Sequence, residues 1–269
     1  MLRGASLEAR RELEDALGER LSDGAHDTDG TGQELLGVAA VLRREAALRR
    51  VATDASVEGD AKAALIGNVF GEAVGEDALA LVQDAVRRRW TAGRDLADVI
   101  ERLGVRAVVR STDQSDGRIS DELFSVRRLV DGQPDLRSAL SDPARSTADK
   151  GALLSRLLEG KVQPATLLLV TQAASGEHGA IDRGLEEFQD LAAEASDERI
   201  ATVHTARELG PQERERLADA LSQQYDTTVH LQVVVDPDVI GGLRVEIGDD
   251  VIDGTVASKL DDARRRLAG

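Results

Sequence analysis

The segment that decides the fold is Val229-His-Leu-Gln-Val-Val-Val-Asp-Pro-Asp-Val-Ile-Gly-Gly-Leu-Arg-Val-Glu-Ile-Gly-Asp-Asp-Val-Ile-Asp-Gly254, near the C-terminus. Its side chains alternate over 229–235, which predicts a strand with Val229, Leu231, Val233 and Val235 on one face and His230, Gln232 and Val234 on the other. Asp236-Pro237 ends this strand, because proline donates no backbone hydrogen bond. Gly241-Gly242 permits backbone conformations that side chains obstruct. The alternation resumes over 243–247, and the turn Gly248-Asp249-Asp250 lets Val251-Ile252 fold back as a hairpin.

The chain before residue 199 has helical periodicity. Residues 5–21 form an amphipathic pattern, and closely spaced patterns follow from Leu35 onward. Between them, Ser22–Gly32 is polar and rich in glycine, which predicts a mobile linker. A calcium loop starting at Asp27 would need a carboxylate at its twelfth position, where Val38 stands.

The helical region contains an internal repeat. A shift of 88 residues aligns 33–103 with 121–191 without a gap. The identical residues include some in predicted loops and not only those in helices. Identical pairs include Glu34/Glu122, Leu35/Leu123, Val38/Val126, Leu48/Leu136, Arg49/Arg137, Asp54/Asp142, Lys62/Lys150, Leu65/Leu153, Val74/Val162, Leu79/Leu167, Val82/Val170, Ala85/Ala173 and Leu103/Leu191. The sequence therefore predicts a duplicated helical domain.

From Arg199 the pattern changes to a strand over 200–206, a helix with Pro211 in its first turn, and the strands described above. Thr255 can cap a last helix, and Arg264–Arg266 in its final turn complement the helix dipole. The predicted fold class is α+β, mostly α. Two tandem helical bundles, 1–110 and 111–198, precede a small α/β domain, 199–269, with a short mixed sheet.

The composition excludes several functions. The formal net charge of the 269-residue chain is −16 and its aromatic content is 2%, which disfavours nucleic acid, anionic membrane surfaces and base-stacking platforms. The absence of cysteine excludes thiolate zinc sites and disulfides. No apolar run approaches the roughly twenty residues of a membrane-spanning helix, and the N-terminus lacks a signal-peptide core. We therefore expect a soluble protein made in the cytoplasm, without direct membrane insertion.

A search for catalytic chemistry finds no phosphate-binding loop, dinucleotide fingerprint or nucleophile elbow. His204 and His230 lie in predicted strands and can neighbour each other, but solvent-facing positions explain them more simply than a metal site. Asp249, Asp250 and Asp253 can hold a hard cation, yet carboxylates also favour turns and helix starts. We expect no catalytic, cofactor-binding or metal residues, and read the chain as a binding or scaffolding protein.

The C-terminal motif resembles the delta subunit of F-type ATP synthases, whose mitochondrial counterpart is the oligomycin-sensitivity-conferring protein. The residues that match this pattern are Asp236, Pro237, Gly241, Gly242, Gly248, Asp249, Asp253 and Gly254, followed by the basic end Arg264–Arg266. Thr255 replaces the usual serine and keeps the capping hydroxyl. Upstream, 121–124 and 140–143 also look like this family's helical domain. The resemblance covers about 115–269, and the first 110 residues look like the long form with a second helical copy.

This resemblance implies a non-catalytic subunit of the peripheral stalk, the stator, which holds the catalytic head against the turning rotor. It implies that a helical bundle binds N-terminal helices of alpha subunits and that the C-terminal domain meets the C-terminal helix of the b-type stalk. It also implies one copy per complex, at the cytoplasmic face of the bacterial cell membrane. Two alternatives stay open: a generic helical adaptor unrelated to ATP synthase, and a metal-dependent enzyme that uses Asp249, Asp250 and Asp253.

Overall fold

A computed structural model describes residues 2–22, 28–112, 118–142, 144–175, 180–195, 198–236, 239, 241–248 and 250–255. Over these residues the chain forms twelve helices and four strands, so the predicted class, mostly α with a small mixed sheet, is confirmed. The chain divides into two compact units, Met1–Ala192 and Ala193–Gly269. The predicted C-terminal helix and Arg264–Arg266 lie outside the described residues.

The helices follow the predicted periodicity. In chain order they are α1 (Ala5–Ser22), α2 (Thr28–Arg44), α3 (Ala46–Ala52), α4 (Gly59–Phe70), α5 (Glu76–Arg87), α6 (Gly93–Arg110), α7 (Arg118–Asp131), α8 (Pro134–Ser141), α9 (Thr147–Leu158), α10 (Pro164–Ala173), α11 (Ile181–Ala195) and α12 (Pro211–Tyr225). Helix α5 ends at Arg87, before Trp90. The Trp90 indole nevertheless packs against the core, and its Nε1 donates to the carbonyl of Ala85 at 3.0 Å.

The duplication is visible in the helix positions. Helices α3 and α8, α4 and α9, α5 and α10, and α6 and α11 each begin 88 residues apart, which is the spacing of the sequence repeat. Helix α1 stands at the same spacing from α6 at both of its ends. Helix α6 is therefore both the last helix of the first copy and the counterpart, in the second copy, of α1.

Identical residues of the two copies make the same contacts. Glu34 Oε2 accepts a hydrogen bond from the backbone N–H of Gly75, the N-cap of α5, at 2.9 Å. Glu122 Oε2 accepts one from Gln163, the N-cap of α10, at 2.8 Å. An identical pair in the sequence thus satisfies the same orphan N–H group at a helix start.

Helix α6 is the most enclosed helix of the first copy. Its buried residues lie on all sides, from Leu96 and Ile100 in the core to Val105, Val108 and Val109. It contacts α1, α2, α3, α5 and α10. Because the two copies share this helix, we expect them to behave as one unit rather than as two domains joined by a flexible linker.

The predicted linker Ser22–Gly32 is shorter in the structure, because α2 already begins at Thr28. Gly32 lies inside this helix, where α2 crosses α6 so closely that a Cβ atom would stand 2.6 Å from Val108 Cγ2. The glycine serves close helix packing rather than a loop, which is why the sequence reading was wrong there. Residues 23–27, which include Asp27, lie outside the described part.

The Ala193–Gly269 unit contains β1 (Glu198–Thr205), β2 (Thr228–Val235), β3 (Leu243–Ile247) and β4 (Asp250–Asp253), in the order β2-β1-β3-β4. Strands β1 and β2 are parallel, whereas β1–β3 and β3–β4 are antiparallel. Helix α12 connects the parallel pair, and Leu217 and Leu221 pack with Val203 and Val229. The mixed sheet and the hairpin are as the sequence predicted.

Helix α12 begins with a charged cap. Glu213 accepts a hydrogen bond from the backbone N–H of Gly210 at 2.9 Å and pairs with the Arg207 guanidinium at 2.6 and 3.0 Å. The Arg207 hydrogen bond first, and the Gly210 N–H second, lower the pKa of Glu213 to about 2. The cap fixes the crossover between β1 and α12.

Candidate partner-binding site

Two glycines before β3 shape a turn in the unit Ala193–Gly269, which we call the sheet module. Gly241 has a φ of 129° and Gly242 a φ of 80°, in the region that L side chains rarely adopt. A Cβ on Gly242 would stand 2.4 Å from the carbonyl oxygen of Gly254 and 2.9 Å from Cα of Thr255. The backbone of 241–242 therefore lies directly against 254–255, and only glycine fits there.

Backbone hydrogen bonds hold this crossing in place. The N–H of Gly254 donates to the carbonyl of Leu243 at 2.9 Å, and the N–H of Asp236 donates to Thr205 at 2.8 Å. Val239 closes a turn by donating to Asp236 at 3.2 Å. Of the matching residues of the C-terminal motif, Pro237 lies outside the described part, so its role stays a prediction.

The acidic residues of the hairpin make structural contacts. Asp253 Oδ1 accepts hydrogen bonds from the hydroxyl of Thr255 at 2.7 Å and from its backbone N–H at 3.0 Å. These bonds, and the charge of Arg244, lower the pKa of Asp253. The Tyr225 hydroxyl lies 3.3 Å from Asp250. Asp249 lies outside the described residues, and the described ones contain no group of three acidic or histidine side chains placed to hold a metal.

The two strand histidines are not neighbours. His230 pairs in register with Ile200, and His204 pairs with Val234, on adjacent parallel strands. The register separates them by four positions, which is about 13 Å along a strand. The hypothesis of a paired-histidine site at this place is therefore wrong.

The sheet presents two edge strands. Strand β2 forms one edge and β4 the other. Val235 at the end of β2 is 38% exposed, and Val251 in β4 is 54% exposed. Val229 and Val235 lie on the same predicted face of β2, but Val229 is buried and Val235 is exposed. Edge strands with exposed valines are surfaces on which a partner segment can pack.

The helical copies present a matching apolar stripe on α4 and α9. Leu65 and Val69 of α4 are spaced four residues apart, as are Leu153 and Leu157 of α9. Val69 is 45% exposed, and the other three side chains are half-buried. The duplication thus preserves a partly exposed stripe as well as a core.

Sequence reasoning missed a group of charged residues between α1 and α6. Glu14 of α1 lies 2.6 Å from Arg102 and 3.5 Å from Arg106, both on α6. The spacing of the two arginines, one helical turn apart, indicates a shared face. Their acidic partner stands about ninety residues earlier, and no local pattern connects the two.

No described helix is both long and apolar enough to span a bilayer. The candidate partner-binding faces of the described surface are the exposed valines of the sheet module and the stripes of α4 and α9.

Comparisons with known proteins agree with this description. A family model, ATP synthase delta (OSCP) subunit, matches residues 105–267. A protein of Nocardioides sp. named ATP synthase subunit delta is 48% identical over 272 residues, covering 100% of this chain and 98% of the relative. Proteins of the same name from Kineococcus radiotolerans and Streptomyces avermitilis are 41% and 39% identical, each over 98% of this chain and over 96% and 98% of their own lengths. These relatives span both helical copies as well as the sheet module, and the chain belongs to the ATP synthase delta (OSCP) subunit family.

Proposed function

We propose that this chain is the peripheral-stalk subunit that links the catalytic head of an F-type ATP synthase to its b-type stalk, without an active site of its own. The observation that carries this function is similarity to ATP synthase delta subunits over the whole length of the chain, with the family model matching 105–267. A stator resists torque through tight interfaces that dissociate slowly, so its chemistry lies in packing surfaces rather than in reactive groups. Proton movement and nucleotide chemistry belong to other subunits.

The helical copies are our candidates for binding N-terminal helices of alpha subunits. The stripes on α4 and α9 have the spacing that an amphipathic helix needs for packing in a groove. Because the stripe occurs in both copies, each copy can take a helix of the same kind. The organisation 1–110, 111–198 and 199–269 remains our proposal for the division of the chain into functional parts.

The sheet module is our candidate for the contact with the C-terminal helix of the b-type stalk. Its exposed Val235 and Val251 lie on different edge strands, and its glycine crossing supplies a rigid base. The motif residues Gly241, Gly242 and Asp253 act here as turn residues. We propose one copy of the chain per complex, held at the cytoplasmic face of the bacterial cell membrane through its partners.

A reconstitution experiment tests this function. Synthase stripped of this subunit is expected to hydrolyse ATP but to lose proton-driven ATP synthesis, and adding the purified full chain is expected to restore synthesis. Titrating the chain with an alpha N-terminal peptide and with a b C-terminal peptide tests the two partners separately. Restored binding without restored synthesis would refute the coupling role.

The alternative adaptor unrelated to ATP synthase does not fit a chain that belongs to this family from end to end. The alternative metal-dependent enzyme requires Asp253 as a ligand, whereas the hydroxyl and the backbone N–H of Thr255 already donate hydrogen bonds to that carboxylate. A divalent cation that raises the melting temperature of the protein, with the effect lost in Asp253→Ala, would favour that enzyme instead.

A further inference from the structure

Three arginines converge on one carboxylate between α1 and α6. Glu14 lies 3.6 Å from Arg10, 2.6 Å from Arg102 and 3.5 Å from Arg106. The four side chains are only 14% to 23% exposed. This concentration of positive charge stands in a chain whose formal net charge is −16.

Two of these guanidinium groups have unused donors. The Nε atoms of Arg10 and Arg106 are buried and have no hydrogen-bond partner in the part of the chain that the structure describes. Buried donors are nearly always satisfied in proteins, because leaving one unpaired is costly. Arg10, unlike Arg106, also lines a cleft, so its unused donor points to a missing acceptor there.

The cluster opens onto a cleft of about 820 Å³ between α1, α2, α6 and α11. Arg10 and Arg102 line it together with Arg94, which is 84% exposed, and the exposed Arg183 of α11. Leu2, which precedes α1, adds apolar surface, as do Leu7 of α1, Val99 of α6 and Leu191 of α11. The lining thus combines cations from three helices with an apolar floor.

Carboxylates of the same cleft are engaged inside the protein. Asp98 and Glu101 lie 3.0 and 2.7 Å from Arg43. Asp95 accepts hydrogen bonds from the Ser6 hydroxyl at 2.7 Å and from a backbone N–H of the α6 cap. They neutralise Arg43 and cap α6. Arg94, whose Nε lies 4.0 Å from Asp95, and Arg183 are both exposed.

We propose that this cleft binds an acidic peptide segment of another ATP synthase subunit. Its carboxylates pair with Arg94, Arg183 and the Arg10 side of the cluster, and its apolar side chains cover Leu7 and Leu191. The apolar floor and the cleft's own carboxylates favour a peptide over a small, multiply charged anion such as phosphate. This inference rests on the proposed function, since it names a partner surface of the same assembly.

The test measures rebinding of the labelled full chain to synthase stripped of it, by fluorescence anisotropy at low and at high salt. We expect the double variant Arg94→Glu, Arg183→Glu to bind at least about tenfold more weakly, because charge reversal sets like charges against each other. Its affinity should also depend less on salt than that of the wild type. Arg11→Glu is the matched control, since Arg11 is exposed on α1 and does not line the cleft.

A photo-crosslinking residue in place of Leu7 identifies the partner segment in the purified complex. We expect a crosslink to a stretch of another subunit that contains aspartate or glutamate, and its loss in the double variant. As long as the wild type rebinds, the inference is overturned if the affinity of the double variant is unchanged or if Arg11→Glu loses as much affinity. It is also overturned if the crosslink is confined to this chain or reaches a stretch without carboxylates. Failure of the wild type itself to rebind would overturn the proposed function, and this inference with it.

Discussion

Replacing Gly32 with alanine puts a methyl group where α2 crosses α6. The new Cβ would stand 2.6 Å from Val108 Cγ2, 2.8 Å from the Val108 backbone nitrogen and 3.1 Å from the Gly104 carbonyl oxygen. Because two of these atoms belong to the backbone, the helices must move apart, and overpacking of this kind costs about 1–3 kcal/mol. Alanine regains about 1 kcal/mol of helix propensity over glycine. We therefore expect Gly32→Ala to lower the free energy of unfolding by up to about 2 kcal/mol.

Gly37 supplies the matched control on the same helix. It is exposed, and a Cβ there would meet no atom within 4 Å. Gly37→Ala should therefore stabilise the protein by up to about 1 kcal/mol. The two substitutions are chemically identical and should move stability in opposite directions.

Urea unfolding followed by the fluorescence of Trp90 measures both variants. Trp90 is the only tryptophan of the chain, and it packs against the core that contains α2 and α6. We expect the urea midpoint of Gly32→Ala to fall by about 0.5 M and that of Gly37→Ala to rise. A midpoint for Gly32→Ala at or above that of the wild type would refute the close crossing of the two helices.

The contacts of Glu122, Gly242 and Glu213 determine how substitutions there should change stability or assembly. Glu34→Ala should cost about 0.5–2 kcal/mol of stability. Glu122→Ala should lower the urea midpoint more, because Glu122 also accepts a hydrogen bond from a buried threonine of α10 at 2.6 Å. Equal losses in the two variants would contradict this ranking. Gly242→Val should weaken assembly on the stator while leaving the tryptophan-monitored midpoint unchanged, and normal coupling of proton flow to ATP synthesis would count against it. With a folded-state pKa of about 2, Glu213 stabilises the protein above its ordinary pKa of 4.5, and this contribution disappears as pH falls toward about 2. Melting temperatures between pH 5 and 2 should therefore fall less in Glu213→Gln than in the wild type, and an equal fall in the two proteins would contradict this contribution.

The repeat was predictable because identical residues recur where identical contacts recur. Arg49 donates to the carbonyl of residue 43 at 2.7 Å, and Arg137 donates to the carbonyl of Asp131 at 3.4 Å, 88 residues later. Lys62 and Lys150 are each 4% exposed. Such residues are constrained by local partners, so the same residue types recur in both copies and the repeat is visible in a single sequence.

The parts that sequence reasoning missed depend on partners distant in the chain. A glycine such as Gly32 is compatible in sequence with either a loop or a close helix crossing. Its structural role is set by its contacts with Val108 and Gly104 of α6. The cluster around Glu14 likewise joins residues about ninety positions apart. Short-range sequence patterns predict helices and turns. The close crossing at Gly32 and the charged cluster around Glu14 arise only when α1 and α2 pack on α6.

Helix α6 explains why a duplicated bundle suits a stator. Its eighteen residues extend about 27 Å, and Glu101, 3% exposed, joins both copies. Arg43 of α2 lies 2.7 Å from one of its oxygens, and Gln172 of α10 donates to the other at 3.1 Å. A flexible joint between the copies would dissipate torque as bending, but a shared helix with a buried polar contact on each side resists bending. The second copy is therefore joined to the first by a shared helix with buried contacts, which suits a subunit that has to resist torque without any new chemistry.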